Sequence, residues 1–300
     1  MLSVVVNFHN NRREARNTLY SLSRAGQRET DGIDYEVIVL DHGSSLPLSE
    51  SDVRGFGPEF SLHFVQTTDV SPVRAINAAC REARGEHLLV IIDGAHILSP
   101  GVIRRSMEAF SLFPSPFVAT VPFHLGPARQ NLSRTQGYDQ AREDWLLGQS
   151  GWREDGYRLF HIAGAFADDS GGWFGELLES GCFGLRREAF LELGGLDERF
   201  RSPGGGLVNL DFFRRALERG DWRYVVLLGE ATFHQFHGGV ASNALIASHP
   251  WQAFHDEYMR IRGCAFRHFP RQPYLLGSLP GPSLGPARLS IEQALRRYLS

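Results

Sequence analysis

Asp93 closes the apolar run Leu88-Leu89-Val90-Ile91-Ile92, where an acid is costly unless it caps a turn, pairs or binds a cation. Two roles suit it, a plain turn residue or a divalent-metal ligand that bridges to a diphosphate. Asp41 closes a second run, Tyr35-Glu36-Val37-Ile38-Val39-Leu40, and its plain alternative is an Asx-turn before Gly43. Two acids at two strand ends strengthen the functional reading of each. Far along the chain, His234-Gln235-Phe236-His237 offers an imidazole to the same cation, although a packed or solvated histidine is the commoner case. On a strand, positions 234 and 237 face opposite ways, so at most one of them is expected to enter the site. Asp211 sits near a helix start after Gly204-Gly205-Gly206, which suits either the helix dipole or a general base beside an acceptor hydroxyl.

The rest of the composition narrows the chemistry. All the basic side chains are arginine, with no lysine in the 300 residues, so Schiff-base, Walker and general-base lysines are excluded. Phosphate charge must then be met by arginine, backbone N–H groups or a cation; Arg74 and Arg201 are the candidate arginines. A net charge of -3 provides no global positive field, and a nucleic-acid partner is not expected. Cys80, Cys182 and Cys264 are far apart without CxxC spacing, so neither a disulfide framework nor a cysteine zinc site is indicated. The first apolar stretch, Leu2 to Phe8, lacks the basic flank of a signal peptide, and no apolar run approaches the roughly 20 residues of a membrane helix. A cytoplasmic protein is expected, with peripheral membrane contact and a homo-oligomer left open.

The elements that must position these residues follow from periodicity. Short apolar runs alternate with polar segments of helical spacing, the pattern of strands buried on both faces by helices. Strands are expected at Ser3 to Phe8, Tyr35 to Leu40, Ser61 to Gln66 and His87 to Ile92. The helix from Arg12 carries Ala15, Leu19 and Leu22 on one face, and the helix from about Ser71 turns Ile76, Ala79, Cys80 and Ala83 inward. Right-handed crossovers then give a mostly parallel sheet whose ligand crevice lies beyond the strands' carboxyl ends, where Asp41 and Asp93 fall. A helix over Pro100 to Phe110 and a strand near Phe117 to Val121 come next, and loops or a lid are expected from there to Gly172. Regularity resumes with a strand at Cys182 to Leu185, helices over Arg187 to Leu193 and Asn209 to Glu218, and a strand at Trp222 to Leu228. Pro270 to Pro286 reads as an extended tail before a short helix from Ile291.

The turn after strand one, Asn7-Phe8-His9-Asn10-Asn11-Arg12, lacks the glycines of a dinucleotide fold, and Gly204-Gly205-Gly206 follows no strand as a P-loop would. Instead, Ser3 to Asn10 with Thr18-Leu19-Tyr20-Ser21-Leu22 resembles the opening of family-2 glycosyltransferases. Tyr35 to Ser44 resembles their second strand with its Asp-x-Gly-Ser turn. Asn77 through Ala83-Arg84-Gly85-Glu86 is similar to their helix before strand four, and Gly194-Gly195-Leu196-Asp197-Glu198-Arg199-Phe200 to their Gly-Gly-Phe-Asp-Glu segment. The resemblance covers about residues 1 to 240, and it is the order and spacing of the motifs that make it specific.

That resemblance implies an α/β GT-A fold, with a Rossmann-like mostly parallel sheet flanked by helices and a C-terminal helical and extended appendage. A catalytic domain over 1–240 is expected, its nucleotide half at about 1–122 and its acceptor half at about 123–240, with 241–300 as extension and tail. The implied activity is an inverting transfer of sugar from a nucleotide-diphospho-sugar, UDP-linked, onto a glycan, lipid-linked or other hydroxyl acceptor. Asn7, Phe8, His9, Asn10, Asp41 and Gly43, with Arg74 and Asn77, would hold the nucleotide, with Asp41 on its base. Asp93 would meet the diphosphate and a Mn2+ or Mg2+ ion, with His234 and His237 as further ligands, and Asp211 would deprotonate the acceptor. The chain departs from the family's Asp-x-Asp at Asp93-Gly94-Ala95-His96, so metal binding rests on Asp93 with His96, His234 or His237. The alternatives are a sugar-1-phosphate nucleotidyltransferase and a degenerate domain that binds a nucleotide sugar without transferring it.

Overall fold

All residues of β1 (Leu2–Phe8) and β2 (Tyr35–His42) are buried, as their apolar runs require of strands covered on both faces. The computed structural model describes residues 1–166, 171–239 and 250–299. With β3 (Phe60–Val65), β4 (His87–Ile91), β6 (Pro116–Leu125), β8 (Cys182–Arg186), β9 (Arg223–His234) and β10 (Tyr274–Gly277), these strands form one mixed sheet in the order β10-β9-β6-β8-β4-β1-β2-β3. Short β5 (His96–Leu98) pairs with β9, and β7 (Ala163–Phe166) with β6. β1 runs parallel to β2 and β4, and β2 parallel to β3. β8 is antiparallel to both β4 and β6, while β6, β9 and β10 run parallel to one another.

Helices cover both faces. α1 (Arg12–Leu22) buries Ala15, Leu19 and Leu22 in the cluster that holds Val4, Val6 and Phe8 of β1. α3 (Val73–Glu82) buries Ile76, Ala79 and Cys80 in the cluster that holds Val5. Successive β1 residues thus feed opposite faces, each fully buried aliphatic contributing about 1.5–3 kcal/mol. The other helices are α2 (Glu50–Arg54), α4 (Val102–Leu112), α5 (Gln130–Ser133), α6 (Gln140–Ser150), α7 (Arg187–Glu192), α8 (Val208–Leu217), α9 (Trp251–Arg262) and α10 (Leu284–Leu299).

The expectation of an α/β fold with a mostly parallel sheet is met, and four details differ. The stretch expected to be loops contains α6, started by the Asp139 side chain accepting from Arg142 N at 2.8 Å and stopped at Gly151, which has φ +65°. The strand expected to end at Leu228 continues to His234. The tail expected at Pro270 to Pro286 contributes β10 to the sheet, and α10 starts at Leu284 rather than Ile291. Much of the expected appendage therefore shares the core, through Phe254, Tyr258 and Ala287; its residues 241–249 lie outside the described residues.

Candidate active site

A cleft of about 710 Å³ opens beyond the carboxyl ends of β1, β2 and β4, a size suited to a small-molecule site. Asp93, two residues past β4, lines it with His234 and His237. Asp93 Oδ2 lies 3.3 Å from His234 Nε2 and 3.2 Å from His237 Nε2, and the two imidazole nitrogens are 3.1 Å apart. Both histidines reach the acid because β9 ends at His234, and the alternation that would have turned His237 away ends with it. The expectation that at most one would enter the site is corrected on that ground.

The neighbours fix this geometry. Gln130 Oε1 can only accept, so His234 Nδ1 donates to it at 2.7 Å and Nε2 presents its lone pair toward Asp93. The Gln130 Nε2 also donates to His234 O at 2.8 Å. Asp93 Oδ1 accepts from Asn11 Nδ2 at 3.3 Å and from Ala95 N at 2.9 Å, leaving Oδ2 for the imidazoles. Between the histidines, Phe236 N donates to both oxygens of Glu143 on α6, at 2.9 and 2.8 Å, and Arg13 Nη1 donates to Phe236 O at 3.1 Å. His96 Nδ1 donates to Asp93 O at 2.8 Å, which sets it beside the acid's backbone rather than in the cluster of three.

Burial favours the neutral forms, and pairing decides each group. Burial pushes Asp93 up, but the charge of His237 and its hydrogen bond to the carboxylate hold it well below the usual carboxylate range. Burial drives His234 well below its ordinary value, with His96 and His237 adding to the effect. Burial lowers His237, but the charge and hydrogen bond of Asp93, together with Glu14 and Glu143, raise it above its ordinary value. Two nitrogens and one carboxylate oxygen within 4.8 Å of one another suit either a shared proton or a cation. The buried lone pair of His234, oriented by Gln130, is the arrangement that a metal ligand requires.

The other expected residues divide between cleft and scaffold. Asn7, His9 and Asn10 line the cleft. Asn10 Oδ1 accepts from Ser45 N and Oγ, tying the turn after β1 to the turn after β2. Phe8 is fully buried under Gly94, where a Cβ would come within 2.3 Å of its ring. Asp41 is 1% exposed and its carboxylate accepts from Ser44 N and Leu48 N, so it closes its own loop and His42 is the neighbour that faces the cleft. Gly43, at φ +62°, makes that turn. Asn77 holds the segment after α7 through Leu196 N and O. Arg74 and Arg201 are about half exposed and pair with Glu198 and Asp69. Asp211 is 1% exposed and outside the cleft, its carboxylate clamped by Arg215 Nε at 2.8 Å and by Arg262 Nε and Nη2 at 2.6 Å each. Asp211, Asp41, Phe8, Gly43, Arg74 and Asn77 are not among the described residues that line the cleft, and their contacts lie in the fold around it.

Residues that sequence reasoning passed over take their places. Asn11 and Gln130 orient the acid and the imidazole, Arg129 is the arginine lining the cleft among the described residues, and Glu179 and Asn209 stand on its wall. Asn11 belonged to the polar turn after the first strand and carried a readable signal; Gln130, Arg129 and Glu179 lay in stretches without periodicity.

A mixed sheet with a cleft beyond its strand ends and a two-imidazole, one-carboxylate cluster inside it defines an α/β protein with a built ligand site. The family model described as Glycosyl transferase family 2 matches residues 3–194, more than half of the chain, and the chain belongs to that family. Among solved structures, S. aureus TarS 1-349 in complex with UDP-GlcNAc is similar at TM-score 0.53 and 15% identity, covering 86% of this chain and 66% of that one. The same fragment in complex with UDP gives TM-score 0.50 and 16% identity, covering 78% of this chain. The chain spans 60% of that fragment's length. At these identities the likeness is one of fold. No curated protein matches the chain by sequence.

Proposed function

We propose that the chain is an inverting glycosyltransferase that moves a sugar from a UDP-linked donor to a hydroxyl acceptor. The observation that carries this reading is the convergence of Asp93, His234 and His237 at the carboxyl-end cleft of a family-2 sheet. Similar structures of TarS were solved with UDP and with UDP-GlcNAc, which supports the choice of nucleotide. In this reading His9, Asn10 and His42 face the nucleoside, while Arg129 and the Asp93 cluster face the diphosphate. A divalent ion held by Asp93, His234 and His237 would neutralise charge on the leaving diphosphate. Imidazole donors favour a transition ion such as Mn2+ over Mg2+, a hard ion that prefers oxygen ligands.

The test is calorimetric titration of UDP and UDP-GlcNAc with Mn2+, with Mg2+ and without metal. Binding that strengthens with Mn2+ and weakens at least tenfold in Asp93→Ala is expected. Absence of binding by any nucleotide diphosphate under all three conditions overturns the reading. The placement of Asp211 outside the cleft favours a second reading, a domain that binds nucleotide sugar without transferring it. Tight donor binding with no release of UDP selects that one.

A further inference from the structure

We propose that Glu179 is the catalytic base, taking the proton of the acceptor hydroxyl from a position held by Asn209. The proposal rests on the transferase reading above. Sugar transfer with inversion needs one carboxylate to receive that proton, and Asp211 is committed to two arginines away from the cleft. Among the described residues that line the cleft, the carboxylates are Asp93 and Glu179. Asp93 is engaged by two imidazoles, Asn11 and a backbone N–H, and Glu179 stands on the cleft wall with its Oε2 held by Asn209.

Topology brings it there. β8 pairs antiparallel to β4 with Cys182 opposite Ile91, so the residues just before Cys182 run beside those just after Ile91, namely Ile92 and Asp93. The same path brings Gly181 against His96, where a Cβ would lie 2.9 Å from Nε2. From the first turn of α8, Asn209 Nδ2 donates to Glu179 Oε2 at 2.8 Å and to Ser180 O at 3.2 Å, fixing both side chain and backbone. Asn209 Oδ1 is buried without a hydrogen-bond partner among the described residues, a free acceptor beside the proposed base.

The step balances as follows. The acceptor oxygen attacks the anomeric carbon as its proton passes to the Glu179 carboxylate. The bond from that carbon to the β-phosphate oxygen breaks, and its electron pair leaves with UDP. The products are the inverted glycoside, UDP and a protonated Glu179, which returns its proton to solvent.

The experiment uses the full chain with UDP-GlcNAc and Mn2+ and follows UDP release to water and to a panel of hydroxyl acceptors. Glu179→Gln is expected to fold with unchanged melting temperature and to bind UDP within about twofold of wild type, while UDP release falls by roughly 10²-fold or more. Glu179→Asp should recover part of the rate, and the acid limb of the wild-type pH-rate profile should be absent in Glu179→Gln. Wild-type release by Glu179→Gln overturns the base assignment and leaves the transferase reading intact. Binding of UDP without release by the wild type also overturns it, whereas absence of UDP binding removes the reading beneath it.

Discussion

Ala95 occupies the position where a second acid would complete Asp-x-Asp, and its side chain is fully buried. An aspartate there would put a carboxylate at a position closed to solvent. Ala95→Asp is accordingly expected to lower stability by about 2 kcal/mol or more, read by denaturant unfolding, without tightening Mn2+ binding. Tighter Mn2+ binding in that variant would show that the site still lacks an acid ligand. In the proposed metal site Gln130 orients one of the imidazoles, so Gln130→Ala should weaken Mn2+ by roughly 10- to 100-fold in calorimetry, an effect that His96→Ala should not match. At this scale the sequence was legible where an ionisable residue follows an apolar run or caps a strand, as with Asp93 and His234. At Asp41 the same pattern serves the loop itself. Asp41 and Asp93 follow similar strands, and only the backbone N–H groups of Ser44 and Leu48 that capture Asp41 separate their roles. Such capture depends on the path of a turn, which residue types do not specify.

At the scale of elements, Asp211 becomes a structural joint. Arg262 of α9 reaches Asp211 on α8 at 2.6 Å and Asp197 in the turn after α7 at 2.9 Å, so one guanidinium ties three segments behind the cleft. Asp211→Asn leaves two arginines facing a neutral amide and should cost about 3 kcal/mol in chemical denaturation, with UDP affinity unchanged. A large loss of UDP affinity at unchanged stability would return Asp211 to the cleft. The joint also has a pH signature. Burial opposes ionisation of Asp197, but hydrogen bonds from Arg199 and the charge of Arg262 bring its carboxyl from 3.8 to about 2. A depressed carboxyl stabilises the fold fully above about pH 4, and the contribution disappears as pH falls through about 2. With its partners partly exposed the amount is about 1 kcal/mol, visible as a shallower acid-side stability slope in Asp197→Asn. The first four strands and α1 and α3 were readable because they bury continuous or helical apolar sets. α6 was not, since it buries only Glu143 and Leu147 and leaves Trp145 half exposed. Its inward face holds the His234–His237 loop by hydrogen bonds, a task that leaves no hydrophobic stripe to read.

For the whole molecule, periodicity revealed the parallel half of the sheet and hid its far edge. β10 is mostly exposed, with Tyr274 at 52% and Leu275 at 39%, and so it lacks the buried run by which a strand is read. Its pairing of Tyr274 with Val225 through Gly277 with Leu228 nevertheless covers the side of β9, the strand that delivers His234. A sheet edge that presents Val225, Val226 and Leu227 uncovered is a template for pairing with another copy. Arg271 strengthens the cover from the adjoining residue stretch by donating to Leu217 O at 2.8 Å, and α10 adds Ala287 to the core and Ser290 Oγ as acceptor for Phe174 N at 2.9 Å. A chain ending at Phe269 should therefore lose more in solution behaviour than the small apolar area of β10 implies. Size-exclusion chromatography of that chain is expected to show concentration-dependent association, and hydrogen exchange should show loss of protection at Val225 to Leu228. UDP binding should weaken with it, because the same strand carries His234 of the proposed site at its far end. A monomeric truncated chain with wild-type protection along β9 would mean that the edge is covered by something other than β10.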